Sequence, residues 1–295
     1  MPYSADELKI SRNAFYLGIF GNIGLFILKL CFGIFGKSIA LINDACHSFS
    51  DLLATSVALL GFRISLRPKD ISHHYGHYKA EPLVGLFVAL TLVAIGVITG
   101  YRAILSIIKG PVAPKSIAAV AALISILGKE LMAKYCFRVG KLLNSTSIMA
   151  TAYDHRSDAL SSIPVFLAII CARVGFKFLD PLAGFFVSCT ICYFAYKVGR
   201  DNIGMLMDQA PDKKFLDKIK EEISKVDGVL GMHKVRVRQL GRGTSIDLHI
   251  EVDSKSSVIE GDKIANAVRE QLENLEEVDS ALVHICPHTS DGNNE

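Results

Sequence analysis

Long apolar runs constrain what this chain can fold into more than any other feature. An α-helix needs roughly 20 mostly apolar residues to cross a bilayer, and six stretches approach or exceed that length. They lie at about 14–36, 38–62, 81–107, 114–137, 146–175 and 179–200. The second and fifth are interrupted by charged residues, so we expect them to score poorly on hydropathy alone. We predict six transmembrane helices within residues 1–207.

The composition also requires a polar part. The 295 residues are 51% hydrophobic and the mean hydropathy is +0.36, which is high for a soluble domain and low for membrane helices alone. The net charge of +3 is small and does not indicate a nucleic-acid partner. Lys and Arg are more frequent on the side that the two termini share. We therefore expect both termini in the cytoplasm. The membrane that we expect is a prokaryotic cytoplasmic membrane.

Residues 208–288 have the pattern of a small α+β domain with the order αββαβ. A charged amphipathic helix is predicted over 211–227, because this segment begins with Pro and has helical periodicity. "HKVRVRQL" and "SIDLHIEVD" alternate apolar and polar residues, which predicts two strands joined by a turn at "GRG". A second helix over 258–276 and a final strand, "SALVHICPH", come next. We expect both helices on one face of the sheet and a disordered tail at 289–295.

Two of the predicted spans carry acidic and imidazole side chains at helical spacing. His47 and Asp51 are four residues apart in "NDACHSFSD", and Asp154 and Asp158 are four apart in "YDHRSD". Each pair shares one face of its helix. On facing helices, one nitrogen and up to three carboxylates would suit a divalent metal cation.

A structural interpretation of the same residues stays open. Buried polar groups also join membrane helices by hydrogen bonds, with no ion present. His155 is an alternative additional ligand. Asp44 fits a role in an ion pathway or in helix packing better than a role as ligand.

Two further groups outside the spans have metal-ligand character. Asp70, His73 and His77 lie within the loop "RPKDISHHYGHYKAEP", where the alternative is a set of solvated side chains. In the polar domain, histidines occur on both strands of the hairpin and alternate with a cysteine in the last strand, and chance scatter is the alternative. The residues are His233, His249, His284, Cys286 and His288.

Taken together, the six spans, these motifs and the αββαβ domain resemble the cation diffusion facilitator family over nearly the whole chain. The resemblance implies a homodimer that exchanges a cytoplasmic divalent metal for protons. It also implies a metallochaperone-like cytoplasmic domain that senses metal at the dimer interface.

The family's functional residues carry over by position. The resemblance implies a transport site at His47, Asp51, Asp154 and Asp158, and a loop site at Asp70, His73 and His77. It implies a regulatory site at His233, His249 and His284, with Asp262 and Cys286 as further members. Lys79 and Asp208 match positions that form an interlocking salt bridge at the family's dimer interface.

The ligand set leaves the metal open. Many zinc-type members have HxxxD in both spans, whereas this chain has one histidine in span two and DxxxD in span five. Zn²⁺, Fe²⁺ and Mn²⁺ are all candidates. A rival function is a non-transporting metal sensor or scaffold. An intramembrane hydrolase is disfavoured, because HExxH is absent from the sequence, so we expect a transporter and not an enzyme.

Overall fold

The computed structural model describes residues 5–65, 67–142, 146–240, 243–275 and 277–288. Six long helices occur where the six spans are predicted, and they differ from the predicted spans mainly at their ends. They are α1 (Ala5–Gly36), α2 (Ile39–Ser65), α3 (Ala80–Lys109), α4 (Ser116–Leu142), α5 (Thr146–Arg173) and α6 (Leu179–Leu206). The predicted tail at 289–295 lies outside the described residues.

Four helices of the described chain are long and apolar enough to cross a membrane, namely α1, α3, α4 and α6. The two that do not qualify, α2 and α5, contain the charged motifs, which confirms the expectation from hydropathy. On α3, Val88 and Leu92 are buried, while Phe87 and Leu90 are about two-thirds exposed. Large apolar side chains on the outer face of a long helix are typical of contact with lipid.

The chain divides into two compact units. The first contains Met1–Val57 and Phe87–Val198, and the second contains Ala58–Leu86 and Gly199–Glu295. Within the first unit, α4 packs mainly on α5 and on α1. Small residues allow these helices to approach closely: a Cβ on Gly36 would lie 2.7 Å from the Cβ of Ala118.

The start of α2 is held by a side chain from another helix. Asp180, at the start of α6, accepts a hydrogen bond of 2.6 Å from the Ser38 hydroxyl and one of 2.7 Å from the backbone N–H of Ile39. The second bond pairs the backbone N–H of Ile39, which has no partner within the first turn of α2. At the same end of the bundle, Gly110 adopts φ 97° after α3, and Pro111 follows it.

The polar domain has the predicted order αββαβ. Its elements are α7 (Lys213–Ser224), β1 (Gly231–Leu240), β2 (Gly243–Val252), α8 (Val258–Glu273) and β3 (Val278–Pro287). β1 pairs with β2 in antiparallel orientation, and β2 pairs with β3 in parallel orientation, with α8 as the crossover. Two of the turn residues predicted between β1 and β2, 241–242, lie outside the described residues.

One core joins the helices and the sheet of this domain. Ile246, Leu248 and Ile250 alternate along β2 with fully buried side chains. They belong to the same cluster as Ile219 of α7 and Leu272 of α8. Both helices therefore contribute to the core that β2 also fills, and the predicted fold class is confirmed.

Candidate metal centres

The first candidate centre lies in the helical bundle and combines two helices. His47 and Asp51 stand one turn apart on α2, and Asp158 approaches them from α5. One donor atom from each residue lies within 4.8 Å of the others. A tetrahedral metal with bonds of 2.0–2.2 Å separates its ligand atoms by about 3.4 Å, so one ion can join all three.

His47 has an unsatisfied polar atom at this centre. Its Nδ1 is buried and has no hydrogen-bond partner among the described residues. The ring stacks on Phe194 of α6, with centroids 6.0 Å apart and an interplanar angle of 24°. An imidazole nitrogen without a partner carries a desolvation cost that metal binding would remove.

A cavity of about 380 Å³ reaches this region from between α2, α5 and α6. His47 and Asp44 contribute polar surface to a wall that is otherwise mostly apolar. Pro164 of α5 lines the cavity and has no backbone N–H to donate to the preceding turn of its helix. The cavity therefore leads from His47 to space beyond the group of three donor atoms.

Two residues predicted near this centre lie apart from the three donors. Asp154, predicted as the fourth ligand, is exposed and is not a member of the group of donor atoms. His155 is buried, with 3% of its surface exposed, and is also outside the group. The ligand role of Asp154 stays a prediction.

Two buried lysines at these helices were missed by the sequence reasoning. Lys129 of α4 lies 2.5 Å from Asp158 Oδ2, and Lys29 of α1 lies 2.9 Å from Asp44 Oδ2. Each lysine side chain is only 1% exposed. A charged residue within the apolar runs "LFILKLCF" and "SILGKELM" was the available signal, because such a residue needs a partner inside the bundle.

Asp44 belongs to a polar network rather than to the ligand group. Its carboxylate accepts hydrogen bonds of 3.2 Å from the Ser162 hydroxyl in addition to the contact with Lys29. The Lys29 ammonium also donates to Ser48 at 3.1 Å. The network connects α1, α2 and α5, which agrees with the helix-packing role expected for Asp44.

The second candidate centre is in the loop between α2 and α3. The Nδ1 of His73 lies 3.1 Å from Asp70 Oδ1, and the Nε2 of His77 lies 3.5 Å from Asp70 Oδ2. The hydroxyl of Ser72 and the backbone N–H of His73 donate to Asp70 and lower the pKa of its carboxyl to about 2. The loop therefore presents an ionised carboxylate beside two imidazoles, as metal binding requires.

The end of the same loop is held by polar contacts. Lys79 lies 3.2 Å from Asp208, so the predicted salt-bridge partners meet within one chain. The hydroxyl of Tyr78 donates to Asp279 at 2.6 Å, and Asp279 lies on β3. That hydrogen bond raises the pKa of Tyr78.

The third candidate centre crosses the three strands of the polar domain. In the register of the sheet, His233 is opposite His249, and His249 is opposite His284. Cys286 lies two residues beyond His284, so its side chain points to the same face. Its Sγ is 3.5 Å from the Nδ1 of His249 and 3.7 Å from the Nε2 of His233.

The structure brings three of the predicted residues of this centre together: donor atoms of His233, His249 and Cys286 lie within 4.8 Å of one another. His284 is outside the group, although its ring centroid is 4.6 Å from that of His249. Asp262 is on α8, where it is exposed and accepts a hydrogen bond from Asn266.

The electrostatics of the third centre keep His249 available as a ligand. Desolvation, then the neighbouring imidazoles of His284 and His233, lower the pKa of His249 and favour the neutral ring. Sequence reasoning missed Glu251. Its carboxylate lies 3.1 Å from the Nδ1 of His233, and an acceptor in that position orients a metal-ligating imidazole.

Comparison with known families covers both parts of the chain. Residues 15–207 match the cation efflux transmembrane domain, and residues 211–288 match the cytoplasmic domain of cation efflux proteins. The chain belongs to the cation efflux family. This confirms the resemblance to cation diffusion facilitators that the motifs indicated.

Similar proteins occur in archaea, bacteria and plants. An uncharacterized transporter of Methanocaldococcus jannaschii is 39% identical over 91% of this chain and 95% of its own. The manganese efflux system protein MneP of Bacillus subtilis is 30% identical over 97% and 99% of the two chains. Metal tolerance protein C1 of Arabidopsis thaliana is 36% identical over 92% of this chain and 62% of its own.

Family membership sets the broad activity. This cation efflux protein is an integral, multi-pass membrane protein with a cytoplasmic domain. Its family exports metal cations and is a family of transporters, not of enzymes.

Proposed function

We propose that this cation efflux protein carries divalent transition-metal cations out of the cytoplasm in exchange for protons. The metal binds between α2 and α5, with His47, Asp51 and Asp158 as ligands and Asp154 as a fourth ligand from the same helix as Asp158. The observation that carries the proposal is the convergence of three donor atoms within 4.8 Å inside the bundle.

The donor set suits Mn²⁺, Fe²⁺ and Zn²⁺ as substrates. Carboxylate oxygens favour Mn²⁺, and an imidazole nitrogen suits iron and zinc. MneP, which matches nearly the whole chain, is named for manganese efflux. Mn²⁺ is therefore the first substrate to test.

Proton exchange is a consequence of the chemistry of the ligands. Carboxylates and imidazoles bind a metal only in their deprotonated forms, so protons that arrive at the site favour release. His47 is the proposed proton acceptor, because the same imidazole lone pair binds either a metal ion or a proton. The cavity beside His47 would serve as a route between the site and one side of the membrane.

The cytoplasmic domain, which begins at residue 208, would sense metal and join two copies of the chain. His233, His249 and Cys286 would bind the regulatory metal, with His284 and Asp262 nearby. The loop group of Asp70, His73 and His77 would bind a further ion. The model of the matched cytoplasmic domain is named ZT_dimer, which supports a homodimer. Both termini would then face the cytoplasm.

The proposal is tested by flux into proteoliposomes under an imposed proton gradient. We expect uptake of Mn²⁺, Fe²⁺ or Zn²⁺ that depends on the gradient. Asp158→Asn, which removes one ligand charge and keeps the side-chain volume, should lower the flux by at least about 100-fold.

One control variant and two contrary outcomes make the result decisive. His155→Gln changes a buried histidine outside the donor group and should keep the flux. Normal gradient-driven flux in Asp158→Asn would contradict the proposed site. Metal binding by the cytoplasmic domain without any flux of the intact protein would instead support the sensor or scaffold.

A further inference from the structure

The most unusual group near the transport site is a cation. Lys129 of α4 is 1% exposed, and its ammonium lies 2.5 Å from the Oδ2 of Asp158. Asp158 also supplies a donor atom to the group with His47 and Asp51. A lysine therefore contacts a carboxylate that the proposed function assigns to the metal.

An ammonium and a divalent metal compete for such a carboxylate. An ammonium has three donors and no acceptor, so it cannot join the ligand set of a metal. Two cations at one carboxylate also repel each other strongly where little water screens them. Metal binding through Oδ2 of Asp158 therefore requires the ammonium to move away from that oxygen, and metal binding through Oδ1 is weakened by the nearby ammonium charge.

The metal-free site has a physical need for this cation. Asp51 and Asp158 place donor oxygens in the same small group, and two carboxylates in one site disfavour each other's charged form. A buried charge is tolerated when it has a partner of opposite sign. Lysine can fill this role reversibly, because its four-carbon stem has several rotatable bonds.

We propose that the Lys129 ammonium is a built-in competitor of the transported metal, bound to Asp158 when the site is empty and displaced when the metal binds. The inference rests on the proposed function, since it takes Asp158 as a ligand of the transported ion. Return of the ammonium to Asp158 replaces the departing metal. Lys129 thereby lowers the affinity for the metal and speeds its release.

A second buried lysine provides a matched control. Lys29 of α1 has the same 1% exposure and also contacts a carboxylate, but its partner is Asp44. Asp44 is outside the group of donor atoms. A change at Lys29 removes an equally buried charge without removing a competitor from the ligand set.

The test measures Mn²⁺ flux and equilibrium Mn²⁺ binding on the intact protein. For Lys129→Met, we expect KM and the Kd of the Asp158-dependent site to fall by at least about tenfold, the scale of a lost charge-assisted hydrogen bond. The maximal rate should fall as well, because release slows. Lys129→Arg should raise KM, since a guanidinium holds a carboxylate more firmly than an ammonium does.

Mn²⁺ binding is measured for Lys129→Met and for the double variant Lys129→Met/Asp158→Asn. The difference between the two is the binding at the Asp158-dependent site. Lys29→Met should change the Kd of this site much less than Lys129→Met does. An unchanged KM and Kd in Lys129→Met would overturn the proposal, and so would weaker binding, which would identify Lys129 as a residue that merely positions Asp158. Should Lys129→Met fail to insert, the direction of the KM change in Lys129→Arg decides the question.

These outcomes are separable from the fate of the proposed function. Absence of flux in the wild-type protein would refute transport, whereas the Kd comparison between wild type and Lys129→Met would still report competition. The converse result is wild-type flux that Asp158→Asn abolishes, together with an unchanged Kd in Lys129→Met. It would support the proposed transport site and refute the proposal that Lys129 competes with the metal.

Discussion

At the scale of single residues, this protein places candidate metal donors in a bundle whose surface is apolar. The candidate donors are one imidazole and two carboxylates, and the imidazole nitrogen Nδ1 of His47 lacks a hydrogen-bond partner among the described residues. The only nitrogen in this donor group therefore comes from His47. Selectivity among divalent metals should depend on this residue more than on the acids.

We predict that His47→Asp shifts selectivity toward Mn²⁺ and away from Zn²⁺. An all-oxygen ligand set suits hard cations, and loss of the imidazole removes the ligand that zinc favours. Competition flux assays should show a change of about tenfold or more in the Mn²⁺ to Zn²⁺ ratio of kcat/KM.

His155→Gln is the control for this experiment, because His155 is a buried histidine of α5 outside the donor group. An unchanged selectivity profile in His47→Asp, with a shift in His155→Gln, would show that His155 is the ligand and that His47 is not.

At the scale of elements, local hydrogen bonds decide where the helices of the cytoplasmic domain begin. Ser257 precedes α8, and its hydroxyl accepts a hydrogen bond of 3.2 Å from the backbone N–H of Glu260. The Glu260 carboxylate in turn accepts one of 2.8 Å from the backbone N–H of Ser257. This reciprocal pair is a capping box, and it fixes the first turn of the helix that connects β2 and β3.

We predict that Ser257→Ala destabilises α8 by about 1 kcal/mol, the usual effect of losing an N-cap side chain. Hydrogen exchange of the α8 backbone amides in the intact protein should become faster, and exchange in α1–α6 should not change. Asn266→Ala, at a partly buried position farther along the same helix, is the control with little expected effect. Equal acceleration in both variants would show that the cap is not the cause.

At the scale of the molecule, the loop after α2 and the cytoplasmic domain belong to one compact unit. Tyr78 donates to Asp279 on β3, and Lys79 pairs with Asp208 after α6. Asp70, His73 and His77 lie only a few residues before these contacts. Order in the loop centre is therefore coupled to a strand of the domain that carries the third centre.

We predict that Tyr78→Phe speeds hydrogen exchange in the loop by roughly fivefold, because a hydrogen bond to a carboxylate is lost. The bond to Asp279 raises the pKa of Tyr78, so the neutral phenol is the form that stabilises the fold. Its contribution is fully present below the ordinary tyrosine pKa of about 10 and is lost as the pH rises through the raised value. The difference between wild type and variant should thus be constant from about pH 6 to 9.

Tyr75→Phe is the matched control, since it changes a tyrosine of the same loop and keeps the ring that lies 6.0 Å from the Arg238 guanidinium. A pH-dependent difference within this range, or an equal effect of the two variants, would contradict the role assigned to the Tyr78 hydroxyl.

The sequence by itself determined the features that local periodicity and spacing encode. The lengths of the apolar runs predicted the helical region, and alternation along β1 and β2 predicted the hairpin. The four-residue interval between His47 and Asp51 placed two donors on one helix face. Each of these inferences depends on residues that are close in sequence. Over such short distances, the backbone geometry of a helix or strand alone decides in which direction each side chain points.

Only the tertiary structure decided which distant side chains meet. Lys129 contacts Asp158 across α4 and α5, and Lys29 contacts Asp44 across α1 and α2. Cys286 joins His233 and His249 because the register of the sheet brings β1 and β3 to opposite sides of β2. These contacts depend on helix rotation and strand register, which the packing of the whole chain sets and no short segment encodes.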